Sequence, residues 1–200
     1  MARAAVTLYE ATGDNAYIDT ARGWVDVIDI HFWDAAGGGY FFTADDAEAL
    51  IIRTKSAADN ATPAGNSVIA ATLARLHFAT GEDAYRQRAE EIFTAFAGEV
   101  SKNFFPLTGL FSANEILQRC AQVVIVGDPA EDGTTALIDV AWKAANMNKL
   151  IQRVAPGDAL PDGHPATGKG QLDGKATAYV CIGQTCSLPL TDAEALREAL

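Results

Sequence analysis

Between residues 31 and 66 the chain gathers the side chains most able to do chemistry: His31-Phe32-Trp33-Asp34, Tyr40, Arg53-Thr54-Lys55, Asp59-Asn60 and Asn66. Trp33 and Tyr40 offer stacking faces. Asp34 and Asp59 offer carboxylates for hydroxyl groups or proton transfer, and His31 an acid or base. Arg53 and Lys55 are cations, and Asn60 and Asn66 can donate and accept at once. The same residues also have structural readings. Asp34 can cap the turn before Gly37-Gly38-Gly39, Arg53 and Lys55 can pair with Asp45 and Asp46, and Trp33 can be core. Of the other two histidines, His77 reads as a packing residue and His164, in a Gly/Pro loop, as solvated. Cys181 and Cys186 are spaced too widely for a zinc or redox pair and no second pair completes a tetrahedral site, so they read as buried thiols, with a reversible disulfide left open. Gly127-Asp128-Pro129 follows an apolar run but lacks the glycine spacing and lysine of a phosphate loop, and reads as a turn. Neither a metal nor a cofactor is expected.

The elements that must position these groups come from a globular composition. The 200 residues are 49% apolar and 20% charged, enough for a core without disulfides. A formal charge of −11 and the lack of any basic block exclude nucleic acid and anionic membrane as natural partners. The longest apolar runs, such as Val123–Val126, are far too short to span a bilayer. Three cysteines and no secretory leader point to the cytoplasm, with free thiols.

A repeat sets the helical part. Leu8-Tyr9-Glu10-Ala11-Thr12-Gly13-Asp14-Asn15-Ala16-Tyr17 and Leu76-His77-Phe78-Ala79-Thr80-Gly81-Glu82-Asp83-Ala84-Tyr85 share Leu, Ala-Thr-Gly and Ala-Tyr in register. Each copy reads as a helical hairpin: one helix stops at a left-handed Gly and an Asx two residues on caps the next. Tyr17, Ala21, Trp24, Val25 and Ile28 then form a buried stripe, as do Tyr85, Ala89, Ile92, Phe93 and Phe96. Tyr40–Thr43 and Ile51–Lys55 predict a β-hairpin near 38–55, and a helix follows from about Asn66 to Ala79, with Pro63 near its start. Residues 1–120 therefore read as a helical-hairpin region and 121–200 as a small α/β appendage. In the appendage, strands near 122–126, 151–154 and 176–182 alternate with a helix over 134–145, placing the first two strands parallel. Thr191 is expected to cap the last helix.

The ordered succession of these motifs, with Asp59-Asn60-Ala61-Thr62-Pro63-Ala64-Gly65-Asn66-Ser67-Val68 and Ala176-Thr177-Ala178-Tyr179-Val180-Cys181 before Cys186 and Pro189, resembles the C-terminal half of the spermatogenesis-associated, thioredoxin-domain-containing protein family. The resemblance implies a mainly α fold. Its antiparallel hairpins would form part of an (α/α)6 toroid similar to N-acylglucosamine 2-epimerase and the six-hairpin glycosidases. It also implies a small carbohydrate as ligand. Asp34 and Asp59 would then be acid and base in glycoside hydrolysis, or His31 the base of an epimerase, though an epimerase needs a second facing base. A full toroid needs about 350 residues. The chain is accordingly expected to be a toroid fragment without catalysis of its own, whose apolar flanks form a homo-oligomer or dock the missing hairpins. The rivals are an enzyme completed by self-association and a non-catalytic scaffold.

Overall fold

The computed structural model describes residues 1–158, 160, 164, 166–183 and 185–200. Both repeat copies fold as helical hairpins, but Trp24, expected in the buried stripe of the first, is exposed. Helix α1 (Ala2–Thr12) ends at Gly13 with φ +77°, and α3 (Gly65–Thr80) ends at Gly81 with φ +78°. In each, the glycine N–H closes the helix by donating to Tyr9 O at 2.7 Å or to His77 O at 2.8 Å. Helices α2 (Ala16–Phe32) and α4 (Asp83–Val100) return antiparallel. The expected Asx caps differ. Neither Asn15 nor Asp83 caps with its side chain; Asp14 Oδ1 instead accepts from Ala16 N at 2.9 Å.

A 3-10 turn at Phe105–Leu107 leads into α5 (Thr108–Arg119). Helix α3 is central, packing on α1, α4 and α5. Leu73, Leu76, Ile92, Leu107 and Leu117 are fully buried there.

The C-terminal part runs β1 (Ala121–Val126), α6 (Asp132–Lys143), β2 (Lys149–Val154), β3 (Thr177–Ile182), β4 (Thr185–Cys186) and α7 (Ala193–Ala199). Its sheet has the order β2-β1-β3-β4, with β1 and β2 parallel as expected and β3 antiparallel to β1. All six β1 residues are buried, which is why Val123–Val126 read as a continuous apolar run rather than an alternation. Asp192, not Thr191, caps α7, accepting from Glu194 N and Ala195 N.

Helical and α/β parts meet along a polar seam. Leu150 of β2 enters the helical core. Beside it, Glu10, 6% exposed, puts both carboxylate oxygens 3.3 Å from Arg75 Nη1 and accepts from Ile151 N at 3.2 Å. Arg75 also donates to Lys149 O at 2.9 Å, and Gln152 Nε2 to Ala79 O at 3.3 Å. Among the described residues no helix is long and apolar enough to cross a membrane.

The expected β-hairpin is absent as a ladder. Gly38 and Gly39 both take positive φ, +68° and +75°, and turn the chain back on the end of α2. Tyr40 thus bridges Trp33, and Phe41 N donates to Phe32 O at 2.9 Å. A single backbone–backbone bond, Phe42 N to Thr54 O at 2.9 Å, joins the two supposed strands, while Ile51 and Ile52 stand in solvent.

Candidate functional site

Seven of the residues singled out by chemistry, His31, Trp33, Asp34, Tyr40, Arg53, Lys55 and Asn66, gather at the C-terminal end of α2, where the turned-back loop brings them. Asp34 Oδ1 accepts from Ala36 N at 3.0 Å and Gly37 N at 3.1 Å, and its Oδ2 lies 2.6 Å from Lys55 Nζ. The Lys55 ammonium, then the Gly37 amide, holds this carboxyl below the usual aspartate range. Lys55 also donates to Gly38 O. It thus pairs with Asp34 rather than with Asp45 or Asp46.

Arg53 does not pair across the loop either. Its guanidinium donates to His31 O at 2.8 Å and Thr43 O at 2.6 Å, and stacks 4.4 Å from the centre of Phe41. His31 Nδ1 lies 2.8 Å from Asp45 Oδ1 and 3.6 Å from Asp46 Oδ2. The Asp45 hydrogen bond raises the imidazole pKa, and His31 in turn lowers that of Asp45.

Trp33 meets Tyr40 edge-on at 5.0 Å, and Arg88 sits 4.0 Å over its ring. Tyr40 is 4% exposed and donates through its hydroxyl to Asp29; burial, then that bond, pushes the phenol pKa up. Asn66 is 1% exposed. Its Oδ1 accepts from Tyr40 N at 2.7 Å, while Nδ2 donates to Tyr40 O at 2.9 Å and Ser56 O at 3.0 Å.

Asp59 has a different set of partners. It accepts from Ala64 N at 2.9 Å ahead of α3, and from Gly109 N at 2.6 Å and Thr108 Oγ1 at 3.2 Å at the start of α5. One carboxylate so serves two helix N-termini, where the dipole favours negative charge. A Cβ on Gly109 would fall 2.8 Å from Asp59 Oδ1. Asp59→Ala is expected to cost about 2 kcal/mol, as loss of a strong cap does, read as a lower urea midpoint with an unchanged m-value. The neighbouring Asn60 side chain accepts from Ala61 N at 2.9 Å, and its backbone N–H donates to Thr62 O at 3.1 Å.

Two depressions flank this region. A groove of about 730 Å³ runs between Trp33, Gly37 and Gly38 on the loop and Gln87, Glu90, Glu91 and Thr94 on α4. The other, about 220 Å³, is apolar and lies between α4 and α5, lined by Phe93, Ala97, Val100, Leu110 and Phe111. Neither is lined by Asp34, Arg53 or Asp59.

His77 is half-buried against Phe78, with Nδ1 3.1 Å from Glu82 O. His164 is buried, not solvated: its Nδ1 accepts from Ala166 N at 3.1 Å, and desolvation, then Lys169, lowers its pKa. Cys181 and Cys186 are joined in a disulfide across the β3–β4 pair, the alternative left open beside the reading of free thiols. Cys120 is free and buried, its thiol pushed up to about 12 by desolvation. The Glu10–Arg75 seam carries no sequence signal, because its partners lie 65 residues apart.

These features define a protein of helical hairpins joined to a small mixed sheet, with its candidate site on a loop folded against a helix end. No family model matches the chain. It is 33% identical over 210 residues to spermatogenesis-associated protein 20 of Homo sapiens, a match covering 99% of the chain and 26% of that protein. The Rattus norvegicus protein of the same name is 31% identical with the same coverage, and an uncharacterised Caenorhabditis elegans protein is 26% identical over 204 residues. The chain thus spans about a quarter of the length of these relatives.

Proposed function

We propose that the chain is a carbohydrate-related segment of an (α/α)6 toroid, without catalysis of its own, that works by packing its exposed helical flank on further helical hairpins. The observation supporting it most directly is that the side chains nominated for proton transfer already have structural duties. Asp34 is held by Lys55 and turn amides, Asp59 by two helix starts and His31 by Asp45. An acid–base pair for glycoside hydrolysis needs two carboxyls facing one bond, and these two have separate partners. The flank is the other support. Phe104 and Phe105 are 63% and 79% exposed beside Phe111 and the apolar α4–α5 groove, a grouping that water disfavours. For the chain alone, the cover is a second copy. A cytoplasmic location belongs to the same proposal; the Cys181–Cys186 bridge weighs against it, since reducing compartments open such bonds.

A sugar held in the wider groove is a second reading, favoured by Trp33 at its wall with Gln87, Glu90 and Thr94 as polar partners. Light scattering and a thermal-shift screen against neutral and N-acetylated sugars separate the readings. A mass above one chain that Phe105→Ser and Phe111→Ser return to one chain, with no sugar turnover, is the expected result. A monodisperse monomer overturns the packing proposal. Stabilisation by a sugar that Gln87→Ala abolishes, together with turnover, moves the assignment to an enzyme.

A further inference from the structure

We infer that His31, Asp45 and Asp46 form a site for one divalent transition-metal ion of the zinc class, which ties the loop after Thr43 to the end of α2. One donor atom from each side chain falls within 4.8 Å of the other two, the sole such group of three among the described residues. Nδ1 lies 2.8 Å from Asp45 Oδ1 and 3.6 Å from Asp46 Oδ2. With metal–ligand bonds of about 2.0–2.2 Å, neighbouring ligands of a tetrahedral ion stand roughly 3.3 Å apart. The observed spacings straddle that value, so small rotations admit an ion.

Backbone contacts hold the two segments together independently of these side chains. Asp45 N donates to His31 O at 3.0 Å, and Arg53 clamps that same carbonyl and Thr43 O. The donors are therefore brought near each other before any ion binds, which lowers the ordering cost. A neutral imidazole with two carboxylates carries two negative charges, matching a divalent cation. Imidazole in the set favours zinc, cobalt or nickel over calcium or magnesium. His31, Asp45 and Asp46 side chains are 32%, 54% and 66% exposed, leaving an open side for water to complete the coordination. The ion takes the place of the proton between Nδ1 and Asp45, and that proton goes to solvent. The sequence reading missed this set because His31 and Asp45 are fourteen positions apart.

The test is calorimetric titration of the chelator-dialysed chain with zinc chloride, with calcium chloride as control. One zinc ion per chain is expected, with no calcium uptake. Asp45→Asn and Asp46→Asn should each weaken zinc binding by roughly tenfold or more. Both positions are exposed, so each variant is expected to fold, which circular dichroism checks. Cobalt should give visible absorption without the thiolate charge-transfer band that cysteine ligands produce. No zinc uptake up to millimolar concentration overturns the inference, as does uptake that survives both substitutions unchanged.

Discussion

Replacing Glu10 by Leu is expected to lower the unfolding free energy by about 3 kcal/mol, the loss that follows when one partner of a largely buried ion pair is removed. Glu10 is the acceptor that joins the first helix to the sheet. It takes Arg75 through both oxygens and Ile151 N–H at the edge of β2. Leucine leaves that N–H without an acceptor and Arg75 without its anion. The guanidinium side chain is still 22% exposed, which keeps the cost near the lower end for such pairs. Glu10→Gln keeps an acceptor for Ile151 N–H and should lose less. A second signature is pH dependence. Burial raises the Glu10 pKa, and Arg75 and the Ile151 N–H only partly offset it. The folded chain therefore holds this proton to higher pH than the unfolded chain. Glu10's contribution is complete below the ordinary glutamate range and falls as pH rises through the raised value. Urea midpoints across that window should fall less steeply in Glu10→Gln than in the parent. Identical slopes would show that Glu10 does not titrate across the seam.

What could be read from residue order alone follows how local each cause is. The hairpins were legible because a Gly in the left-handed region stops a helix by itself, at Gly13 and again at Gly81. The parallel pair was legible because a strand buried on both faces leaves an apolar run, Val123 to Val126, bounded by turn residues. The loop after α2 was not. Its β-branched residues suggested a ladder, but Gly38 and Gly39 sent Tyr40 to Trp33 and Asn66, leaving Ile51 and Ile52 without a partner strand. The Asp34 turn cap was visible, since its amides lie two and three residues on. Asp59's role was hidden, because its second helix start is fifty residues away. His164 sits in a Gly/Pro-rich stretch, whose composition signals exposure, while tertiary contacts bury it.

The same locality explains why a site rich in chemical groups is structural at most of its atoms. A loop folded against a helix end must satisfy its own carbonyls and amides, and charged side chains meet that need at short range. Arg53 and Lys55 therefore both bond to backbone carbonyls, and Lys55 to Asp34 as well. The group least engaged in this way is His31 with its two aspartates, where donors converge at an open surface.

Asn66→Ala separates a binding role from a structural one at the residue where the two differ most. A ligand-binding amide on a preformed loop can be truncated with little effect on folding. Here the amide is buried and makes three bonds to backbone groups, two of them to Tyr40 and one to Ser56. Alanine leaves Tyr40 N–H, Tyr40 O and Ser56 O unpaired in the interior, each costing about 1–3 kcal/mol. The expected total is about 3–5 kcal/mol, because some of these groups will recover water. The loss should also free the loop, since Tyr40 is its anchor between Trp33 and Asp29. Hydrogen exchange should then rise at residues 40–56 ahead of the helical core. Asn66→Asp keeps the acceptor for Tyr40 N–H but loses both donations and buries a charge, so it should be no milder than alanine at neutral pH. Wild-type stability in Asn66→Ala would mean that the amide does not hold the loop, and would return Asn66 to the list of ligand contacts.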